Sequence, residues 1–150
     1  RYYDLQLQLR SGQITRDYAV LSHGWLPTSR WEVRASIHWG SDSTRSVAGG
    51  RGKHSVTLCK VLAYLMNASC CGFSFLLLRL LTGRRHQIRC HLAHVGHPVA
   101  GDGQYNTEQT RWTSPMSPTS CGGGVRHFLH RYHLTFDSTV SVSSPLPKDL

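Results

Sequence analysis

Carboxylates are scarce in this sequence. Eight Asp and Glu stand against 17 Lys and Arg in 150 residues, leaving a net charge of +9 and a pI near 9.8. Long apolar runs are also lacking. The densest, Phe73 to Leu81, is broken by Ser74 and Arg79 and is too short for a membrane-spanning helix, so no membrane partner is expected. No signal-type segment opens the chain, which begins at Arg1 rather than Met; an upstream portion is therefore expected. The five cysteines, Cys59, Cys70, Cys71, Cys90 and Cys121, are odd in number and contain no C-x-x-C. Neither a disulfide framework nor a zinc knuckle follows from that spacing. Reduced thiols in an intracellular compartment are expected, with cytoplasm, nucleus and organelle left open. The row His91, His94, His97 is not a metal set either: Gly96 and Pro98 take His97 off any shared helix face, and no carboxylate lies near enough in sequence.

What is present is Arg. It supplies 14 of the 17 basic residues, and its planar fork suits phosphate and stays charged when buried. A clustered, Arg-rich chain of this pI is the electrostatic footprint of a nucleic-acid partner, although a basic protein without one has the same composition. Hydrophobic residues make up 39%, too many for simple disorder, and the length suits one domain.

Residues Tyr2–Leu9 alternate Leu with Gln and read as a strand or extended segment, while the same residue types also suit a helix. Thr15–His23 reads as a strand ended by Gly24. Residues 25–52 look like a loop-rich insertion with a short strand near Trp31–Ile37 and a flexible turn at Ala48–Gly52. His54–Tyr64 and Phe73–Leu81 read as strands joined by a turn at Asn67–Gly72, hence an antiparallel pair. Ile88, Leu92 and Val95, spaced by four and three, predict an amphipathic helix over Arg85–Val95, stopped by Gly96 and Pro98. Residues 106–124 are rich in Ser, Thr, Pro and Gly and are expected to form a mobile loop. Phe128–Phe136 alternates again, and the tail from Val142 is extended. The class predicted is α+β, a mixed and largely antiparallel sheet with flanking helices.

The stretch Leu81-Thr82-Gly83-Arg84-Arg85-His86-Gln87-Ile88-Arg89 is a buried strand, a glycine turn and a helix start carrying three Arg. A helix N-terminus offers free N–H groups and partial positive charge, so this is a candidate anion seat; the alternative is a solvated basic face.

Residues Thr82 to Asp102 resemble the T-G-R-x-H-Q-I-R-x-H-L-x-x-x-G-H-P-x-x-G-D motif of the RluA-type RNA pseudouridine synthases. Arg16-Asp17-Tyr18 through Gly24 is similar to that family's K-x-Y-x-x-x-x-x-G strand, with Arg for Lys. Gly52-Lys53-His54-Ser55-Val56-Thr57 is similar to its G-K-x-[AS]-x-T strand, Arg126–His130 to its R-x-x-L-H-A strand, and Pro145–Leu150 to its closing segment. The resemblance covers most of residues 14–150 and is weakest over residues 25–50.

It implies a pseudouridine synthase-like fold and isomerisation of uridine in RNA without cofactor or metal. By resemblance Tyr18 is the active-site tyrosine against the target base, Arg89 pairs with the nucleophilic Asp, and Ile88 packs beside it. Arg84, Arg85 and His86 would lie on the RNA-facing side. The expected partner is rRNA or tRNA, and a monomer is expected. The nucleophile's H-R-L-D motif is missing: none of the six Asp, at 4, 17, 42, 102, 137 and 149, follows Arg-Leu. Asp102 reads as a turn carboxylate capping nearby backbone. The chain is thus expected to be the C-terminal part of a catalytic domain, inactive alone, or a non-catalytic RNA-binding remnant of the same fold.

Overall fold

The computed structural model describes residues 2–11, 13–40, 43–68, 70–106, 126–136 and 140–148. The elements are α1 (Tyr2–Arg10), β1 (Thr15–His23), β2 (Glu32–Arg34), β3 (Ile37–His38), β4 (Val47–Ala48), β5 (Val56–Met66), β6 (Gly72–Leu80), α2 (Gln87–His94), β7 (Leu129–Phe136) and β8 (Val140–Ser143). Six strands form one sheet in the order β2-β5-β6-β1-β7-β8, and every pairing is antiparallel. Strands β3 and β4 form a separate two-stranded ribbon. This is the α+β, antiparallel architecture predicted.

The predicted strand β1 has the bounds seen, and β5 and β6 pair as the expected hairpin, closed by a turn in which Asn67 accepts from Cys70 and Cys71. Two expectations differ. Residues 2–10 are helical rather than extended, because Leu and Gln both favour a helix and no neighbouring strand pairs with their alternation. Residues 25–52 hold β2, β3 and β4 rather than one strand, since β2 finds β5 as a partner from Glu32 to Arg34. The expected mobile loop lies almost wholly outside the described residues.

One face of the sheet carries the core. Val20, Leu76, Leu78, Leu80 and Cys59 are buried there against Ile88 and Leu92 of α2, with Tyr18 packed at the margin. The far face of α2 presents Cys90 to Ile37 and Tyr105, under the ribbon. Helix α2 stops as its sequence requires. Gly96 adopts φ +86°, and its N–H and that of His97 return to Ala93 and Leu92, the paired bonds of a Schellman turn.

Candidate active site around Tyr18, Arg16 and Arg84

The turn ahead of α2 is built by one amide. The Gln87 side chain is buried; its Oε1 accepts from the Thr82 hydroxyl (2.9 Å) and the Arg84 N–H (3.1 Å). Its Nε2 donates to the Val56 carbonyl (3.0 Å) and Thr57 Oγ1 (3.1 Å). Thr57 in turn donates to His91 Nδ1 at 2.9 Å, and His91 Nε2 donates to the Ala35 carbonyl at 3.1 Å. The chain fixes strand, turn and helix to one another and leaves His91 neutral, its pKa lowered by burial. His91 is therefore a structural link. Among the described residues no group of three His, Cys, Asp or Glu could hold a metal.

Because Gln87 holds the turn, α2 begins at Gln87, two residues later than predicted. Arg84, Arg85 and His86 precede it, and His86 sits in the left-handed region at φ 53°. The three do not share one role. Arg85 donates to the Ser43 and Thr44 carbonyls at 3.0 and 3.2 Å. His86 Nδ1 lies 3.0 Å from the Tyr105 hydroxyl, which itself accepts from the Ser46 N–H. The His86 pKa is lowered by burial and by the neighbouring charges of Arg89 and Arg85, so His86 accepts that bond as a neutral ring. Arg84 alone of the three keeps a buried Nε with no partner.

Arg89, expected to face a nucleophilic carboxylate, already holds one from this chain. Its Nε and Nη2 donate to Asp102 at 2.6 and 2.7 Å, Nη2 also reaches Gln104 Oε1 at 2.9 Å, and the guanidinium lies 4.7 Å over the Tyr105 ring. Asp102 is buried and also accepts from the backbone of Gln104 and Tyr105, the capping role read from sequence. Burial pushes its carboxyl upward, but the Arg89 hydrogen bonds outweigh that and hold it below the usual range. The pair pins the segment after α2 onto the helix. Ile88 is buried in the core beneath, as its place on the inner helix face requires.

The open guanidiniums are elsewhere. On β1, Arg16 and Tyr18 are two residues apart and so point to one face. A Cβ at Gly83 would stand 2.5 Å from Arg16 Nη1, so the guanidinium lies directly on that glycine. Arg16 Nε is buried without a partner, and burial together with the nearby charge of Arg131 lowers its pKa. Arg131 pairs with Tyr18 across β1 and β7. Among the described residues, Asp17, Glu32 and Asp102 are taken by Arg79, Arg34 and Arg89, and no ion pair reaches Arg16 or Arg84. Arg16 and Arg84 are thus half-buried, each with an enclosed Nε that meets no partner, and Arg16 lies near enough to Tyr18 to interact with it; the charge left over can take an anion, a carboxylate or a phosphate. Arg16 was visible in sequence only as the Arg standing for Lys in the K-x-Y strand. Its unpaired state follows from the scarcity of acids but could not be located without the fold.

Thiol chemistry does not fit here: burial pushes the Cys59 and Cys90 thiols up to about 11. On the opposite face of the sheet Asp17 accepts from Arg79 Nε and Nη2 at 2.7 and 2.8 Å and lies 3.2 Å from His133 Nδ1, while His133 Nε2 reaches Ser141 at 3.1 Å. That network ties β8 through β7 to β1.

The sequence model of the RNA pseudouridylate synthase family matches residues 2–94. The chain belongs to this family. Its RluA-type character is shown by two bacterial relatives. Ribosomal large subunit pseudouridine synthase D of Neisseria meningitidis serogroup A is 31% identical over 152 residues, 95% of this chain and 38% of that protein. The dual-specificity RNA pseudouridine synthase RluA of Pasteurella multocida is 32% identical over 140 residues, 92% of this chain and 58% of that protein. The fold agrees: human RNA pseudouridylate synthase domain containing 1 superposes with a TM-score of 0.74 at 28% identity, over 95% of this chain and 58% of that one. The pseudouridylate synthase chain thus spans well under two thirds of these proteins. In it the T-G-R-R-H-Q-I-R segment divides its contacts: Gln87 builds the turn, Ile88 packs, Arg89 holds Asp102 through Nε and Nη2, and Arg84 keeps an unpartnered Nε.

Proposed function

We propose that the whole protein is an RNA pseudouridine synthase, which isomerises uridine in RNA, with rRNA or tRNA as substrate. In this reading Tyr18 lies against the target base, Arg89 faces the nucleophilic carboxylate through the Nη1 that Asp102 leaves open, and Arg84 and Arg16 add guanidinium charge that no acid in the described residues neutralises. The observation that carries it is the set of guanidinium groups around the turn at Gly83 that no acid of the described residues neutralises, in a chain of this family. A guanidinium facing a carboxylate keeps it ionised and aimed, which an attacking Asp requires. A half-buried Tyr ring offers a face on which a uracil turned out of its strand can stack. Asp102 holds Arg89 in that pose through Nε and Nη2; Arg85 and His86 border the site, where Arg85 adds positive charge toward RNA.

The test is to incubate the full-length protein with rRNA and tRNA and to map pseudouridine by sequence. A new pseudouridine at a defined uridine supports the reading. Tight, salt-sensitive RNA binding with no product would instead favour a binding-only remnant, a reading that the missing H-R-L-D carboxylate keeps in play.

A further inference from the structure

Residues 43–46, Ser-Thr-Arg-Ser, form a strap beside the turn that opens α2, in the stretch where the resemblance is weakest. The strap is fastened at its backbone. Arg85 donates to the Ser43 and Thr44 carbonyls at 3.0 and 3.2 Å, and Gln104 Nε2 donates to the Thr44 carbonyl at 2.9 Å. Ser46 is buried; its Oγ donates to the Arg85 carbonyl at 2.8 Å and its N–H to the Tyr105 hydroxyl at 2.7 Å. Ser43 Oγ closes a local turn, donating to the Arg45 carbonyl at 2.6 Å and accepting the Arg45 N–H at 3.2 Å. The chain is thus held on both sides of Arg45.

Arg45 is the residue that the strap presents. It is exposed, and its guanidinium lies 5.1 Å over the centre of the Tyr105 ring. Arg89 lies 4.7 Å over the same ring. Two guanidiniums therefore share one aromatic ring, and that of Arg85 lies under the strap between Arg45 and α2. The carboxylate that meets this group is Asp102, and Arg89 takes it. Among the described residues no ion pair reaches Arg45. The ring holds the Arg45 cation in place without neutralising it, because the attraction is to a quadrupole and not to a charge. Positive charge gathered in this way is relieved when an anion binds. An Arg fork suits two phosphate oxygens, and here its backbone and its stacking are already ordered before the anion arrives.

We infer that the strap is a clamp on the RNA backbone, in which Arg45 binds a phosphate of the strand beside the reacting uridine. The inference rests on the proposed RNA function and deepens it, by assigning a positioning contact outside the reaction centre. Arg89 faces the reacting carboxylate in that reading, and Tyr105 sets Arg45 beside Arg89. A phosphate contact fixes the register of the strand and reads no base, so the clamp accepts any sequence around the uridine.

The test compares the full-length wild-type protein with Arg45→Met and Arg45→Lys. Met keeps an apolar cover on the Tyr105 ring and removes the charge. Binding of single-stranded oligo(U) is measured across a salt series, and pseudouridine formation is followed on rRNA and tRNA. Expected in Arg45→Met are an unchanged thermal midpoint, oligo(U) affinity weaker by about 10-fold at low salt, and a salt slope shallower by about 0.7, the share of one single-strand phosphate. Arg45→Lys should keep the wild-type slope. KM should rise in Arg45→Met while the single-turnover rate at saturating RNA stays the same, since Arg45 touches no reacting atom. Unchanged affinity and slope in Arg45→Met, with wild-type turnover intact, would overturn the clamp and leave the synthase reading standing. Equal binding of poly(Glu), weakened to the same extent in Arg45→Met, would assign the strap to an acidic protein segment and overturn the clamp as well. RNA binding with the predicted loss of slope but no pseudouridine would uphold the clamp and remove the synthase reading. A wild-type protein that neither binds nor modifies RNA would overturn both.

Discussion

At the scale of single residues, the same chemical group serves opposite ends. Arg89 and Arg84 are five positions apart in one motif, and only their partners distinguish them. Arg89 is paired, stacked on Tyr105 and largely enclosed; Arg84 is half-buried and open at Nε. Arg16, from β1, lies on Gly83, the residue next to Arg84, because a glycine there leaves room for it. Gly83 has no left-handed φ, so Ala there strains no backbone, but its Cβ would stand 2.5 Å from Arg16 Nη1 and push the guanidinium away. Gly83→Ala is therefore expected to slow single-turnover pseudouridine formation by up to about 100-fold, the cost of misplacing a positioned group by roughly an ångström, with thermal stability unchanged. Normal turnover in that variant would show that Arg16 is a bystander. The motif letters were legible in the sequence down to Tyr18, Ile88 and the Arg cluster. Which Arg is free was not, because pairing depends on where Asp102 returns after the turn at Gly101, a long-range fact that no spacing rule encodes.

At the scale of elements, the buried hydrogen-bond chain from Thr82 through Gln87, Thr57 and His91 joins β5, the turn and α2. The strands were readable because their apolar alternation meets a single buried face. Helix α1 was misread because its Leu–Gln pattern satisfies two periodicities, and the described residues Tyr3 and Leu7 remain exposed at 82% and 67%. The interior His residues give the fold a pH dependence with a defined sign. Burial lowers the pKa of His91 and His23 below the ordinary value of about 6.5, so the unfolded chain binds their protons first. Their contribution to stability is complete above about pH 6.5 and is lost as pH falls below it. Asp17 and Asp102 are held below the ordinary carboxylate value of about 3.9, burial acting upward and their Arg partners prevailing. Their contribution persists to lower pH and is lost as pH falls through their depressed values. Urea midpoints followed from pH 8 to 3 should decline in two stages, one starting near 6.5 and one near 4. Replacing His91 with Gln should shrink the first stage, whereas an unaltered first stage would mean that His91 is not the buried neutral link described.

At the scale of the whole molecule, the excess of Arg over acid is the property that joins fold to function. Each carboxylate that the sheet and helix enclose is matched by an Arg, at Asp17, Glu32 and Asp102. In the proposed reading, the guanidiniums left over around the Gly83 turn receive a carboxylate from outside the described residues, and the exposed basic surface faces RNA. The central claim is that Arg89 and Arg84 both serve the reacting carboxylate, Arg89 through the Nη1 that Asp102 and Gln104 leave open. Single-turnover pseudouridine formation in the full-length protein, with Arg84→Ala set beside Arg89→Ala and folded fraction measured for each, tests it most directly. Arg84→Ala is predicted to stay folded, to bind RNA, and to lose about 100- to 1,000-fold in rate, the usual cost of removing one electrostatic contact at a reacting group. Arg89→Ala is predicted to lose about 3–5 kcal/mol of stability by stranding buried Asp102, and its folded fraction is predicted to lose rate as well. Near-normal turnover in the folded fraction of both Arg84→Ala and Arg89→Ala would contradict the account.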